Sequence, residues 1–166
     1  DDELVGLREV RGGSPEDKRV TLLTGPELEI VLKPESSIQN FTVVQNFDIA
    51  KHHLEPVAAK RSTGWDAVRN RHGACVFSAA DEEPNIALTA SMLLRSGEIY
   101  GIDRYHLQAH KNRQTDLNPF IPTAAIEEII VDCVNNYVDV ATKYLGLQPP
   151  FRLSVSLSGI SDYQLA

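Results

Sequence analysis

The stretch from Ile121 to Ala166 constrains the fold of this chain more than any other. Within it, Ile126, Ile129, Ile130, Cys133, Tyr137, Val140, Ala141 and Tyr144 recur at spacings of three and four, which winds them into one apolar stripe on a helix. Glu127, Glu128, Asp132, Asn135, Asn136, Asp139 and Lys143 fill most of the remaining positions. Thr123 stands where an N-cap belongs, with the two glutamates in the first turns, where carboxylates complement the helix dipole. Gly146 suits the position just past the helix end, and Pro149-Pro150 forbids continuation. The predicted helix, about 123–145, is on the order of 34 Å long at about 1.5 Å per residue. Beyond the prolines, Phe151, Leu153, Val155 and Leu157 alternate with Arg152, Ser154, Ser156 and Ser158, the pattern of a half-buried strand. A helix of that length is enough to cover one face of a sheet.

The preceding residues supply the strands. Residues 1–18 are charged and carry GGSPED, a composition that reads as a linker or junction, so we expect a piece excised from a longer protein, with 19–166 as a single domain. Gly25-Pro26 marks a turn. In Glu27 to Lys33, Leu28, Ile30 and Leu32 alternate with Glu27, Glu29 and Lys33, so the leucines and isoleucine should face inward and the charges outward. Residues 34–40 read as a turn, and 41–60 as a strand around Phe41 to Val44 followed by a strand or short helix stopped at Pro56. WDAVRN, RHG and ACVFSA read as a β-hairpin whose polar tip ends in Gly73. After the loop DEEPN, Ile86 to Leu94 alternates as another strand, RSGE turns tightly at Gly97, and IYGIDRYHL returns as a strand of opposite direction. HKNRQTDLNPF is a polar loop leading to the helix. The expected class is therefore α+β: an antiparallel sheet of hairpin-linked strands with one long amphipathic helix packed on one face.

Charge narrows the function. A net charge of -7 and a pI near 5.2 argue against a nucleic-acid-binding surface spread over the whole domain, because phosphate contacts require clustered Lys and Arg. The one basic concentration is Lys60, Arg61, Arg69 and Arg71, and with His72 at the hairpin tip it is the candidate contact for nucleic acid or a partner; its plainer reading is a solvated rim. Cys75 and Cys133 have no CxxC spacing and fall on apolar positions, the setting of buried free thiols. No apolar run approaches the about 20 residues that span a bilayer, and the acidic start is not a signal peptide, so the cytoplasm is expected.

The sequence displays no catalytic constellation, and we expect no metal and no cofactor. His52 and His53 sit between Asp48 and Glu55, but adjacent side chains diverge on a strand and on a helix alike. A metal-dependent hydrolase or nuclease built on Asp48, His52 and Glu55, with His106, is the alternative reading. His106 and His110 have the four-residue spacing of a zinc-binding helix, but they fall at a strand end and in a loop without the intervening Glu. Asp103 and Arg104, as neighbours on a strand, should face oppositely and serve structure. Gly12-Gly13 lacks the Lys-Ser/Thr of a phosphate loop, and no G-x-S-x-G surrounds the serines of the last strand. Val131 and Val138 lie off the main helix stripe, where an isolated domain favours polar residues, so they mark a candidate interface of a homo-oligomer.

Four runs together carry a family resemblance: TGWDAVRNRHGACVFSA, LLRSGEIYGID, IPTAAIEEII and YLGLQPPFRLSVSLSGISDYQLA. Over roughly residues 25–166 the chain resembles the C-terminal region of bacterial proteins that begin with a Schlafen/Alba-type DNA-binding domain. It departs from that pattern at Arg71-His72-Gly73, where the family has Asp-Gly, and at Ser161-Asp162-Tyr163, which lacks the usual basic residue. The resemblance implies an accessory module of a regulatory or defence protein, acting in self-association or recognition. It also implies that nucleic acid is contacted through a separate N-terminal domain of the parent protein.

Overall fold

A computed structural model describes residues 9–11, 19–35, 50, 52–54, 66–70, 73–79, 86–109 and 120–165. The chain forms an α+β structure. Its strands are β1 (Glu9–Arg11), β2 (Arg19–Leu22), β3 (Glu27–Pro34), β4 (Asp66–Asn70), β5 (Gly73–Ala79), β6 (Ile86–Leu94), β7 (Ile99–Asp103), β8 (Phe120–Ile121), β9 (Phe151–Ser158) and β10 (Gln164–Leu165). Two α-helices are described, α1 (Tyr105–Ala109) and α2 (Thr123–Asp139), and α2 continues as a π-helical turn over Val140–Tyr144.

The centre of the main sheet runs β5-β6-β7-β3-β9, with every one of these pairings antiparallel. β4 adds to β5 as the expected hairpin, in register from Asp66↔Phe77 to Asn70↔Gly73. Glu9–Arg11, inside the stretch read as a junction, forms β1 and pairs antiparallel with β2. β2 in turn meets the start of β6 through a parallel pairing, Thr21↔Ile86 and Leu22↔Ala87. The β6–β7 turn closes as expected at Gly97: its N–H donates to Leu94 O at 2.9 Å, and its φ of 83° is one that glycine adopts without Cβ strain.

Helix α2 lies across one face, and its buried residues are those of the apolar stripe, with Ile126, Ile129, Cys133, Tyr137, Val140 and Ala141 buried and Ile130 and Tyr144 half-buried. They meet Leu28, Ile30 and Leu32 of β3, Ile99 of β7, Leu93 of β6, and Ala74 and Val76 of β5 in one core. The opposite face of the sheet carries a second buried cluster of Leu22, Cys75, Phe77, Ala87, Ala90, Met92 and Ile102. β5 and β6 are therefore buried on both faces, and Thr89 and Ser91, whose alternation suggested a polar outer face, lie beneath the helix. One detail shows how closely the helix approaches. Ser91 and Gly101 are cross-strand partners, and the Tyr137 hydroxyl sits over Gly101 to share a 2.7 Å hydrogen bond with Ser91 Oγ. A Cβ at position 101 would stand 2.2 Å from that hydroxyl, so glycine is what lets the tyrosine reach.

Two local expectations are corrected. Pro122, not Thr123, occupies the position before the helix, and no side-chain hydrogen bond caps it. IYGIDRYHL is a strand only to Asp103, after which α1 begins; the Asp103 carboxylate accepts the His106 backbone N–H at 3.0 Å, and this local bond turns the chain into the helix. The helix end falls where expected, just before Gly146, and closes by widening: Leu145 N–H reaches Val140 O at 3.1 Å and Leu147 N–H reaches Ala141 O at 2.8 Å, with Gly146 at φ 68° between them. A cis Pro149–Pro150 bond leads into β9.

Candidate functional site

Among the described residues two regions gather polar or unsatisfied chemistry, and they differ in what they leave available. The first is a buried charged cluster where β7 ends. Arg104 directs its guanidinium at Glu27 on β3, with Nε donating to Glu27 Oε2 at 2.6 Å, Nη2 donating to the same oxygen and Nη1 donating to the Leu23 carbonyl. Glu27 is consequently buried, contrary to the outward position that alternation assigned it. Asp103 Oδ2 lies 2.7 Å from His106 Nδ1 while Oδ1 caps α1. Asp103, Arg104 and His106 are thus each held by a neighbour inside the fold: the pair that sequence assigned to structure stitches β7, β3, the β2–β3 connection and α1 together. Removing a single member would strand a buried charge, so the cluster specifies geometry as well as contributing energy.

Beside it, under α2, a cavity lined by Leu28, Thr89, Asp103, Ile129 and Cys133 among others has about 10 Å³ of free volume. That is room for about one water and no larger ligand. Thr89 Oγ1 faces this region without a hydrogen-bond partner among the described residues. The two thiols are inert by placement: both are buried, and burial pushes the Cys75 thiol up to about 12. Burial likewise raises Tyr137 well above the ordinary tyrosine value, with Cys133 beside it acting in the same direction.

The second region is β9, and it is open. All eight of its residues pair with β3, from Glu27↔Ser158 to Pro34↔Phe151, so among the described residues β9 is the sheet's outer strand on that side. Directly paired residues of an antiparallel ladder share a face. Leu153, Val155 and Leu157 therefore lie on the helix side, opposite Leu32, Ile30 and Leu28, yet they remain 46%, 40% and 36% exposed. Arg152, Ser154, Ser156 and Ser158 are exposed on the other face, where the hydroxyl row was expected. Proteins usually blunt such an edge with charge, proline or a bulge. Here the only charge is Arg152, whose Nη2 lies 4.0 Å from Glu35, no proline interrupts the strand, and its register with β3 is unbroken. Val131 on α2 is a further large apolar side chain left open, at 56%.

The sequence-derived candidates distribute unevenly over this picture. Val131 is exposed, as its off-stripe position suggested, whereas Val138 is half-buried and packs against the helix–sheet core. Arg69 lies on β4 opposite Ala74, and its side chain falls outside the described residues, as do Arg71 and His72 altogether. Asp48, Glu55 and His110 also fall outside them. His52 is exposed, while His53 is half-buried and hydrogen-bonds through Nε2 to the Tyr144 hydroxyl, the two rings 4.6 Å apart. Among the described residues no three His, Cys, Asp or Glu side chains gather as metal ligands. Alternation alone flagged β9 as half-buried; that both its faces are open was not legible, because exposure depends on how far across the sheet α2 reaches. No helix among the described residues is long and apolar enough to cross a membrane. Comparison with family models, with curated proteins and with solved structures found no match.

Proposed function

We propose that this chain is a non-enzymatic accessory module of a nucleic-acid-associated regulatory or defence protein, and that it acts by self-association through the open side of its sheet. The observation that carries this reading is β9: a full-length, regular strand at the edge of the sheet among the described residues, with an apolar row between 36% and 46% exposed. An edge of this kind is a template for pairing with another chain. The family resemblance over residues 25–166 supplies the bacterial regulatory setting and nucleic-acid contact through a separate N-terminal domain, and the cytoplasmic location rests on the lack of a bilayer-length apolar run in the sequence. The acidic balance of the chain agrees with that division of labour, since a net charge of -7 disfavours phosphate contacts over the module as a whole.

Native mass spectrometry of the purified 166-residue chain tests it. A multiple of the chain mass with nothing else bound is the expected result. A monomer at every concentration, carrying extra mass from a metal or small molecule, would overturn the assembly reading in favour of the alternative centred on Asp48, His52 and Glu55.

A further inference from the structure

Resting on that self-association reading, we infer that the partner is a second copy of this chain, joined β9 to β9 in antiparallel register about a twofold axis through Val155, so that two sheets become one. The strand's own sequence is the first argument. In FRLSVSLS, a twofold at Val155 sets Leu153 against Leu157, Ser154 against Ser156 and Val155 against Val155. Each face then matches like with like: apolar on the helix side, hydroxyl on the other. A slip of one residue would place each apolar side chain opposite a serine, which the period-two pattern forbids. Arg152 falls opposite Ser158, so no like charges meet directly at the seam.

The second argument is the helix that borders the strand. β7 and β9 are each antiparallel to β3, hence parallel to one another, and the chain between them crosses the sheet as α2. Connections of this kind are right-handed in about 98% of cases. Combining that hand with the right-handed winding of α2, about 100° per residue, turns one flank toward β9. The flank clockwise of the buried stripe holds Ile130, Val134 and Val138, half-buried, and then Val131, exposed. The other flank holds Asp132, Asn136 and Asp139. The apolar flank of α2 and the apolar row of β9 therefore border the same trough. A twofold perpendicular to the sheet places both helices on the same face, one on each side of the seam, and closes the two troughs against each other.

Size is the third argument. The twofold overlaps seven strand residues, 152–158, and at about 3.4 Å each they make a seam about 24 Å long. The sheet edge and the helix flank above it, each about 10 Å deep, give about 480 Å² per protomer, or roughly 950 Å² in total, close to the about 1,000 Å² expected of a specific interface. This one arrangement buries Leu153, Val155, Leu157 and Val131 and satisfies the outward hydrogen-bonding groups of β9.

Disulfide trapping tests the geometry apart from the assembly. Cα atoms of directly opposed residues in an antiparallel pair lie about 4.5–5.5 Å apart, inside the range a disulfide spans, and the native cysteines are both buried. Val155→Cys should form an intermolecular disulfide under mild oxidation, and Ser158→Cys should not, since its partner position is Arg152. An equimolar mixture of Ser154→Cys and Ser156→Cys chains should give the mixed dimer in preference to either homodimer, which covers the case in which Val155→Cys fails to fold. Val155→Lys should shift the native mass spectrum to monomer with the circular dichroism unchanged. Oligomers that resist Val155→Lys and form neither crosslink overturn this interface and leave self-association standing. A wild-type chain that is monomeric at all concentrations overturns both.

Discussion

Strands β3 and β9 are hydrogen-bonded neighbours that carry the same residue types on the same face, and they have opposite fates. Leu28, Ile30 and Leu32 are 1–3% exposed, whereas their cross-strand partners Leu157, Val155 and Leu153 are 36–46% exposed. The periodicity is the same in both strands, and so is the side-chain chemistry. What separates them is the position of α2, which covers β3 and stops short of closing over β9. β3 is further fixed at both ends, by Glu27 to Arg104 and by Lys33 to Glu98, which also accepts the Tyr100 hydroxyl at 3.2 Å. β9 has one long, exposed pair, Arg152 with Glu35. The difference teaches that alternation reports which residues can share a face, and that a second layer decides whether that face is dry.

The contrast can be broken most severely at the start of β3. Arg104→Ala leaves the Glu27 carboxylate buried and unpaired and frees the Leu23 carbonyl, and should destabilise the protein by about 4 kcal/mol, in the range for removing one partner of a buried ion pair. Urea unfolding followed by circular dichroism reads this directly, and a loss below about 1 kcal/mol would mean that water reaches the pair. Next comes the middle of the strand, where Ile30→Ala removes a buried side chain beneath α2 and should cost about 3 kcal/mol.

Alkaline titration sharpens the comparison on the sheet's other face. Burial holds the Cys75 thiol at about 12 against an ordinary 9.0, so the folded protein keeps a proton that the unfolded chain releases. The stabilisation is fully present below pH 9 and is lost as pH rises toward 12. Cys75→Ala should flatten that decline in the unfolding midpoint, and a parallel decline in both proteins would assign it to Tyr137 and other groups. The smallest effect belongs to the open strand: Val155→Ala, the cross-strand partner of Ile30, should change the stability of the isolated protomer by less than about 0.5 kcal/mol. If it costs as much as Ile30→Ala, the apolar row of β9 is covered in solution.

The sequence by itself determined the local elements. The α2 stripe, β3, the β4–β5 hairpin, the turn at Gly97 and the alternation of β9 were all legible, because each is a short-range matter of periodicity, turn chemistry or a proline stop. Tertiary structure decided the rest. It buried Glu27 by bringing Arg104, 77 residues away in sequence, within hydrogen-bonding distance. It placed the Ser91 hydroxyl against Tyr137 rather than water. Val131 and Val138 were read alike from their spacing, and only the packed structure separates them, one open and one against the core. The candidate interface was half legible for the same reason. Which residues share a face of β9 follows from a period of two, but their exposure depends on where a helix that begins 28 residues earlier comes to rest, and no local pattern encodes that distance.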